Sequence, residues 1–176
     1  MEIWERFKLE LREISKVQLP RLLTSEKYSR LEIHRFCDAS LVGYGCVIYF
    51  RFTTLGGRIK TCLIMGKSKV APLKTQFVAR LELCSAYLLS NLLSFVQESY
   101  QSWLFFNAVY AWSDLQVALT WLTNSLYRWK TFVANRVAHI QETIPISSWK
   151  YVPTTLNPAD CASRGLTPLQ LLEHTL

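Results

Sequence analysis

The sequence predicts a mixed α/β fold: a five-stranded mixed sheet with element order βββαβααβα and helices on both faces. Three observations predict it. Runs of β-prone residues at 31–38, 44–52 and 58–66 follow one another through short connections. The 22 residues 78–99 are apolar on nearly all sides and too long for a strand. Beyond them, strand-like runs alternate with helix-patterned ones, so the last two strands need crossovers.

Residues 2–16 set Ile3, Trp4, Phe7, Leu9, Leu11 and Ile14 among charges, the pattern of an amphipathic helix. QLPRLLTSEKYSR (18–30) breaks that pattern with Pro20. A boundary is therefore expected there, with 1–30 as the end of an upstream segment, 31–168 as the domain and 169–176 as a helical tail. ASLVG joins the first two strands. TTLGG joins the second pair, where Gly56 and Gly57 permit a tight turn, giving an antiparallel meander. KSKVAPLKTQF (67–77) reads as a basic loop. VARLELCSAYLLSNLLSFVQES (78–99) reads as a helix buried across the sheet. WLFFNAVYAW (103–112) is a continuous apolar run, as in a fully covered central strand. SDLQVALTWL (113–122) opens a helix with cap-type residues. WKTFVANRVAHIQETI (129–144) repeats Phe132, Val133, Val137 and Ile140 near period 3.6. SSWKYVP (147–153) is a short strand, and NPADCASRG opens a last helical turn.

Half of the 176 residues are hydrophobic and 19% are charged, which excludes a disordered chain. The apolar stretches are interrupted well before the roughly 18 residues a bilayer span requires, and the charged, amphipathic stretch MEIWERFKLELREI does not read as a signal peptide. Five cysteines, odd in number and without a C-x-x-C pair, read as reduced, mainly buried thiols of an intracellular protein. His34, His139 and His174 do not pair with them at zinc-ligand spacing. The net charge of +7 favours a polyanionic partner.

Four acids stand where a strand ends or a helix opens: Asp38, Glu82, Asp114 and Asp160, separated by 44, 32 and 46 residues. Only the fold brings them together. Singly, each also suits a structural role. Asp38 would shape a turn, Glu82 would pair with Arg80 or another surface charge, and Asp114 with Ser113 would cap a helix. Asp160 would follow Asn157 as cap and Pro158 at the first helical position. Together they suit Mg²⁺, which prefers oxygen ligands, and two ions about 3.5–4 Å apart serve phosphodiester cleavage. At about 4 Å and an effective dielectric of about 20, each pair of carboxylates repels by on the order of 4 kcal/mol. Such a cluster must bind cations or retain protons.

FCDASLVGYGCVIY, KSKVAPLK…RLELCSA, WSDLQVALTWL, RWKTFVANRVAHIQ and YVPTTLNPADCASRG together resemble the ribonuclease H-like domain of Pao/BEL-type LTR retrotransposon polyproteins, the Pao retrotransposon peptidase family. The likeness covers about residues 31–168. Residues 2–30, with LPR, resemble the segment joining reverse transcriptase to that domain. The resemblance implies a ribonuclease H-like fold and hydrolysis of the RNA strand of an RNA–DNA hybrid, leaving a 3′-hydroxyl and a 5′-phosphate. It implies two Mg²⁺ ions, with Mn²⁺ able to substitute, and no small-molecule cofactor. Asp38 is then expected to bridge both metals, Glu82 and Asp114 to hold the second, and Asp160 to join Asp38 on the ion that activates water. Partners implied are the hybrid and an upstream reverse transcriptase of the same polyprotein, in cytoplasm or virus-like particles, with no membrane. Thr154 and Thr155 stand where many ribonucleases H carry a histidine after VP, so slower turnover is expected. No D-T/S-G triplet is present, which argues against aspartic peptidase activity.

Backbone phosphates are expected to meet Lys67, Lys69, Lys74, Arg128, Lys130 and Arg164, each of which equally suits a solvated surface. Backbone groups around Ala39, Ser40 and Gly43 are placed to meet ribose 2′-hydroxyls. Trp129 is read as packing rather than as a base platform. Two other readings remain: a catalytically inactive ribonuclease H-like nucleic-acid-binding or structural module, and another two-metal nuclease such as a strand-transfer domain.

Overall fold

The structure, a computed structural model, describes residues 2–18, 23, 26–74, 76–100 and 102–174, with residues 2 and 3 as backbone only. Three long strands, β1 (Tyr28–Ala39), β2 (Gly43–Thr54) and β3 (Ile59–Val70), form the predicted antiparallel meander. β4 (Ala108–Ser113) and β5 (Trp149–Tyr151) add in parallel, giving the order β3-β2-β1-β4-β5 with β1 at the centre. Helix α1 (Glu2–Glu10) precedes the sheet. α2 (Val78–Tyr100) lies between β3 and β4, α3 (Gln116–Thr123) and α4 (Thr131–Thr143) between β4 and β5, and α5 (Asp160–Arg164) and α6 (Pro168–Glu173) follow.

Strand alternation assigns the two faces. Cys46, Ile48, Phe50 and Phe52 of β2 point into one core with Ile33 and Cys37 of β1. α2 covers that face with Leu83, Ala86, Leu89, Leu93 and Val96, and α4 adds Val133, Val137 and Ile140. Fully burying one such Leu, Ile or Phe contributes about 1.5–3 kcal/mol. The alternate residues Gly43 and Gly45 face the opposite side, against α5. The predicted helices on both faces are thus present. α6 opens on a capping box, with Thr167 accepting from the Gln170 backbone and Gln170 accepting from Thr167, and it packs against α1 and the 3-10 turn Leu11–Lys16.

Several expected boundaries move. Residues 103–107 do not belong to β4, and Trp103 and Phe105 are exposed rather than covered. The reason is Asn107: its backbone donates to Leu31 O and its side chain accepts from Leu31 N, closing the ladder one residue before the strand. Residues 67–70, read as part of a basic loop, extend β3, so Lys67 and Lys69 sit on an edge strand opposite Cys46 and Tyr44. β1 starts at Tyr28, inside the segment expected to be upstream. The N-terminal helix breaks at Glu10 into the 3-10 turn, leaving Trp4, Leu9, Leu11 and Ile14 exposed. The expected place of Ile3 on that face and the break at Pro20 lie outside the described residues. Among the described residues, no helix is long and apolar enough to cross a membrane.

The approach of α5 to the sheet needs glycine. A Cβ on Gly45 would lie 2.6 Å from Ala162 Cβ, and one on Gly43 would lie 3.0 Å from Ser163 O and 3.1 Å from Lys69 O. Gly45→Ala is expected to cost about 1–3 kcal/mol by overpacking. Adding Ala162→Gly should return most of it, measured by urea unfolding of the two single variants and the double. Additive losses would show that the contact is not the cause.

Candidate active site

The carboxyl ends of the two central parallel strands carry two of the acids. β1 and β4 pair with Phe36 opposite Trp112, so Asp38 and Asp114 leave adjacent strands at the same level. α2 packs on β1 and β2 and supplies Glu82 from its second turn. Asp38, Glu82 and Asp114 each offer an oxygen within 4.8 Å of the others. Asp38 and Glu82 are only 2% and 3% exposed.

Each of the three is held by a neighbour. Glu82 Oε1 accepts from Ala39 N at 2.9 Å, whereas Glu82 Oε2 is buried without a partner. Asp38 Oδ2 accepts from the Ser163 hydroxyl of α5. Asp114 Oδ2 accepts from the Thr154 hydroxyl at 2.6 Å. Asn157 Nδ2 donates to Cys37 O at 3.0 Å and lies 3.5 Å from Asp114 Oδ1. Burial pushes Asp38 up to about 6, with Asp114 and Asp160 adding repulsion against the lowering effect of Ser163. Burial, then the charge of Asp38, pushes Glu82 up to about 9.

Asp160 stands apart from these three. It begins α5 and is 32% exposed, and its Oδ1 accepts from Arg164 Nε at 2.6 Å. It still adds to the repulsion felt by Asp38, so it borders the same site. The donor set fits a hard divalent cation: carboxylate oxygens from three elements, two of the groups buried, and a Glu82 oxygen with nothing to bond.

The structural roles that each acid also suited are largely spent elsewhere. Arg80 does not pair with Glu82, and its guanidinium lies over the Phe132 ring. Asp114 is no cap: α3 has Leu115 at that position, and Ser113 Oγ accepts from Leu115 N. α5 starts at Asp160, later than an Asn157 cap implies, and Asn157 Oδ1 accepts from Ala159 N.

Of the expected nucleic-acid contacts, Ser40 is turned to structural use. Its hydroxyl donates to Ser163 O at 2.7 Å, and its oxygen accepts from Val42 and Gly43 N, tying the β1–β2 turn to α5. Lys67 and Lys69 are exposed on β3, Lys74 in the following connection, and Lys130 just before α4. Arg128 is exposed and donates to Asn124 Oδ1. Arg164 is engaged with Asp160. Trp129 packs beside Trp121, ring centroids 6.2 Å apart.

Sequence reasoning missed Ser163 and the use of Thr154; their only signal was residence in the stretch 151–165. It also missed His174, whose Nε2 lies 2.9 Å from Cys161 Sγ. His174 shares with Thr154, Thr155 and Asp160 the lining of a cleft of about 300 Å³. Thirteen positions separate the cysteine from the histidine, so only the fold of α6 back onto α5 shows the contact.

A carboxyl raised above its unfolded value takes up a proton on folding. That stability is complete below the ordinary carboxylate range and is lost as pH rises, between 3.8 and about 6 for Asp38 and between 4.5 and about 9 for Glu82. In EDTA the melting temperature should therefore fall from about pH 5 to about pH 9. Mg²⁺ should raise it more at the alkaline end, and a flat profile indifferent to Mg²⁺ would contradict the burial of these carboxyls. Ser163→Ala, which frees Asp38 Oδ2, is expected to weaken Mn²⁺ affinity about 10–100-fold in a titration.

The family described as Pao retrotransposon-like RNaseH-like domain matches residues 1–115, a span that holds Asp38, Glu82 and Asp114 and ends before Asp160. No curated protein sequence matches the chain. Among solved structures it is similar to the N-terminal RNase H domain of a Mycobacterium tuberculosis protein, with 11% identity, 82% of this chain and 97% of that one covered, and a TM-score of 0.48. It is also similar to RNase H1 of the archaeon Halobacterium salinarum, at 12% identity, 77% and 95% coverage and 0.44. LC11-RNase H1, isolated from compost, aligns at 15% identity, 81% and 98% coverage and 0.46.

Proposed function

This chain belongs to the Pao retrotransposon-like RNaseH-like domain family, and from that membership we propose that it is a metal-dependent endonuclease that hydrolyses the RNA strand of RNA–DNA hybrids during retroelement reverse transcription. The observation that carries the reading is the group of three carboxyls, two of them buried, in which one Glu82 oxygen has no hydrogen-bond partner. Asp38, Glu82 and Asp114 would hold the first divalent cation, and Asp160 would join Asp38 for a second. Bound there, Mg²⁺ or Mn²⁺ supplies the activation of water and the stabilisation of a leaving oxygen that phosphodiester hydrolysis needs.

The chain's own groups hold this arrangement in place. Ala39 N fixes one Glu82 oxygen and leaves the other free. The Ser163 hydroxyl orients Asp38 from the opposite face of the sheet. Thr154, one of the two threonines standing where many ribonucleases H carry a histidine, orients Asp114. Lys67, Lys69, Lys74, Arg128 and Lys130 would meet backbone phosphates. The exposed Trp4, Leu9, Leu11 and Ile14 suit contact with an upstream polymerase segment of the same polyprotein, in cytoplasm or virus-like particles.

One observation favours a second reading, an inactive nucleic-acid-binding module: Asp160 faces Arg164 instead of the other acids. That pair is exposed and screened by solvent, so a cation of higher charge displaces it easily. The deciding experiment offers the purified chain an end-labelled RNA–DNA hybrid with Mg²⁺ or Mn²⁺, beside Asp38→Asn. The expected result is cleavage of the RNA strand alone, with the variant at least about 100-fold slower. Absence of cleavage by the parent chain with either ion selects the inactive module.

A further inference from the structure

The face of the sheet opposite α2 and α4 carries a row of rings. His34 and Phe36 of β1, Tyr49 of β2, and Tyr110 and Trp112 of β4 point to that side, because they alternate with the core residues Ile33, Cys37, Ile48, Phe50 and Ala111. Trp112 lies nearly parallel to Phe36 and to His34, at 13° and 9°, with centroids 6.0 Å apart in both pairs. Tyr110 adjoins His34 at 5.1 Å, and Tyr49 stands edge-on to Phe36. Among the described residues, Phe36, Tyr49, Tyr110 and Trp112 neither belong to the core under α2 and α4 nor pack against it. α5 covers this face at the level of Gly43 and Gly45, where Gly45 pairs with Asp38. The rings begin two residues farther back along β1, and each stays part-exposed.

The rings are held in place. Trp112 Nε1 donates to His34 Nδ1 at 3.3 Å, so the other imidazole nitrogen carries the proton and donates to Glu32 Oε2 at 3.3 Å. Glu32 is 5% exposed and also accepts from Arg30 Nε at 2.8 Å and Arg51 Nη1 at 2.6 Å. Side chains fixed before a ligand arrives lose less freedom on binding it. The rim is basic. Arg30 and Arg51 outnumber Glu32, and the exposed Lys150 of β5 stands beside Trp112. An aliphatic partner surface would be met by Leu, Ile or Met. Planar rings bordered by cations suit unpaired bases, which stack while the neighbouring charges meet their phosphates.

The rows lead to the acids. Asp38 follows Phe36 by two residues, and Asp114 follows Trp112 by two. At about 3.3 Å per residue, Phe36 stands about 7 Å and His34 about 13 Å from Asp38 along β1. We propose that this uncovered face of β1 and β4 binds a single-stranded stretch of nucleic acid leading away from the acidic group. Trp112, Phe36 and His34 are its stacking surfaces, and Arg51 and Lys150 its phosphate contacts. The inference takes its ligand from the nuclease reading.

The test is fluorescence anisotropy in EDTA with two fluorescein-labelled probes, a single-stranded oligodeoxythymidine and an abasic strand of the same length. The parent should bind the first more tightly. Trp112→Leu should weaken that binding about 5–150-fold and leave the abasic strand near the parent's value. Trp112→Phe, which keeps a ring, should recover most of the loss. Lys150→Gln should lower the slope of log affinity against log salt by about 0.7, and it gives the reading if Trp112 variants unfold. Equal binding of the two probes by the parent overturns the inference. So does an unchanged slope in Lys150→Gln, or unchanged oligodeoxythymidine binding in a Trp112→Leu variant shown by circular dichroism to be folded. Self-association of the parent in sedimentation, lost in Trp112→Leu while oligodeoxythymidine binding stays the same, also overturns it and assigns the face to a second copy. Hybrid cleavage separates this from the nuclease reading. A parent that discriminates between the probes and cleaves nothing keeps the platform and loses the nuclease. A parent that cleaves without discriminating does the reverse.

Discussion

Burying Asp38 and Glu82 side by side is the constraint around which the rest of the site is arranged. Both carboxyls are almost wholly buried, the charge of Asp38 raises the cost of ionising Glu82, and Asp114 and Asp160 raise that of Asp38. A chain that folds with such a pair must offset the cost locally or keep protons on it. This one does some of each. The Ala39 N–H and the Ser163 hydroxyl each serve one of the pair, while Thr154 and Asn157 stand at the third acid, Asp114. These groups come from β1, α5 and the β5–α5 connection, so the site draws on both faces of the sheet. The approach of α5 that delivers Ser163 is possible only because Gly43 and Gly45 present no Cβ to it. What the protein leaves undone is also informative. Glu82 Oε2 has no hydrogen-bond partner, and the nearby Ser85 hydroxyl donates to the Glu82 backbone carbonyl instead. A buried carboxylate oxygen left open this way is matched to a cation rather than to a hydrogen-bond donor.

Much of this was legible from patterns with one period. The meander, the long buried helix and the two crossovers follow from runs of apolar residues whose spacing is either 2 or 3.6. Three of the four acids fall together because strand ends and an early helix turn are read from the same runs. What failed to show is what depends on a single polar contact. Asn107 ends the β4 ladder by bonding to Leu31, and nothing in WLFFNAVYAW distinguishes a buried apolar run from one in which Trp103 and Phe105 are exposed. Lys67 and Lys69 look like loop residues because an edge strand tolerates charge as well as a loop does. Ser163 is one serine among many until α5 lies against β1. The contact of Cys161 with His174 needs α6 to fold back, and the alternation of the sequence carries no trace of that reversal.

The charge distribution then poses a problem that the acids alone do not. The chain carries +7 overall, yet its candidate catalytic group is a concentration of negative charge. Without cations that group repels the phosphates of a nucleic acid, and the surrounding Lys and Arg residues must overcome the repulsion. Cations in the group invert its sign and add to the surrounding attraction. Arg164 already supplies a small part of this, since its guanidinium sits at Asp160 and is felt by Asp38 and Asp114. The two kinds of binding are therefore coupled, and coupling of equilibria is reciprocal: whatever free energy cations contribute to holding the nucleic acid, the nucleic acid contributes to holding the cations. The coupling is strongest for basic groups within a Debye length of the acids, about 8 Å at physiological salt, and fades for those farther out. Basic residues near the acidic group thus have a different part from those on the distant surface. In the proposed nuclease the near ones would report whether the site is charged for reaction, while the far ones would hold the duplex whatever the site contains.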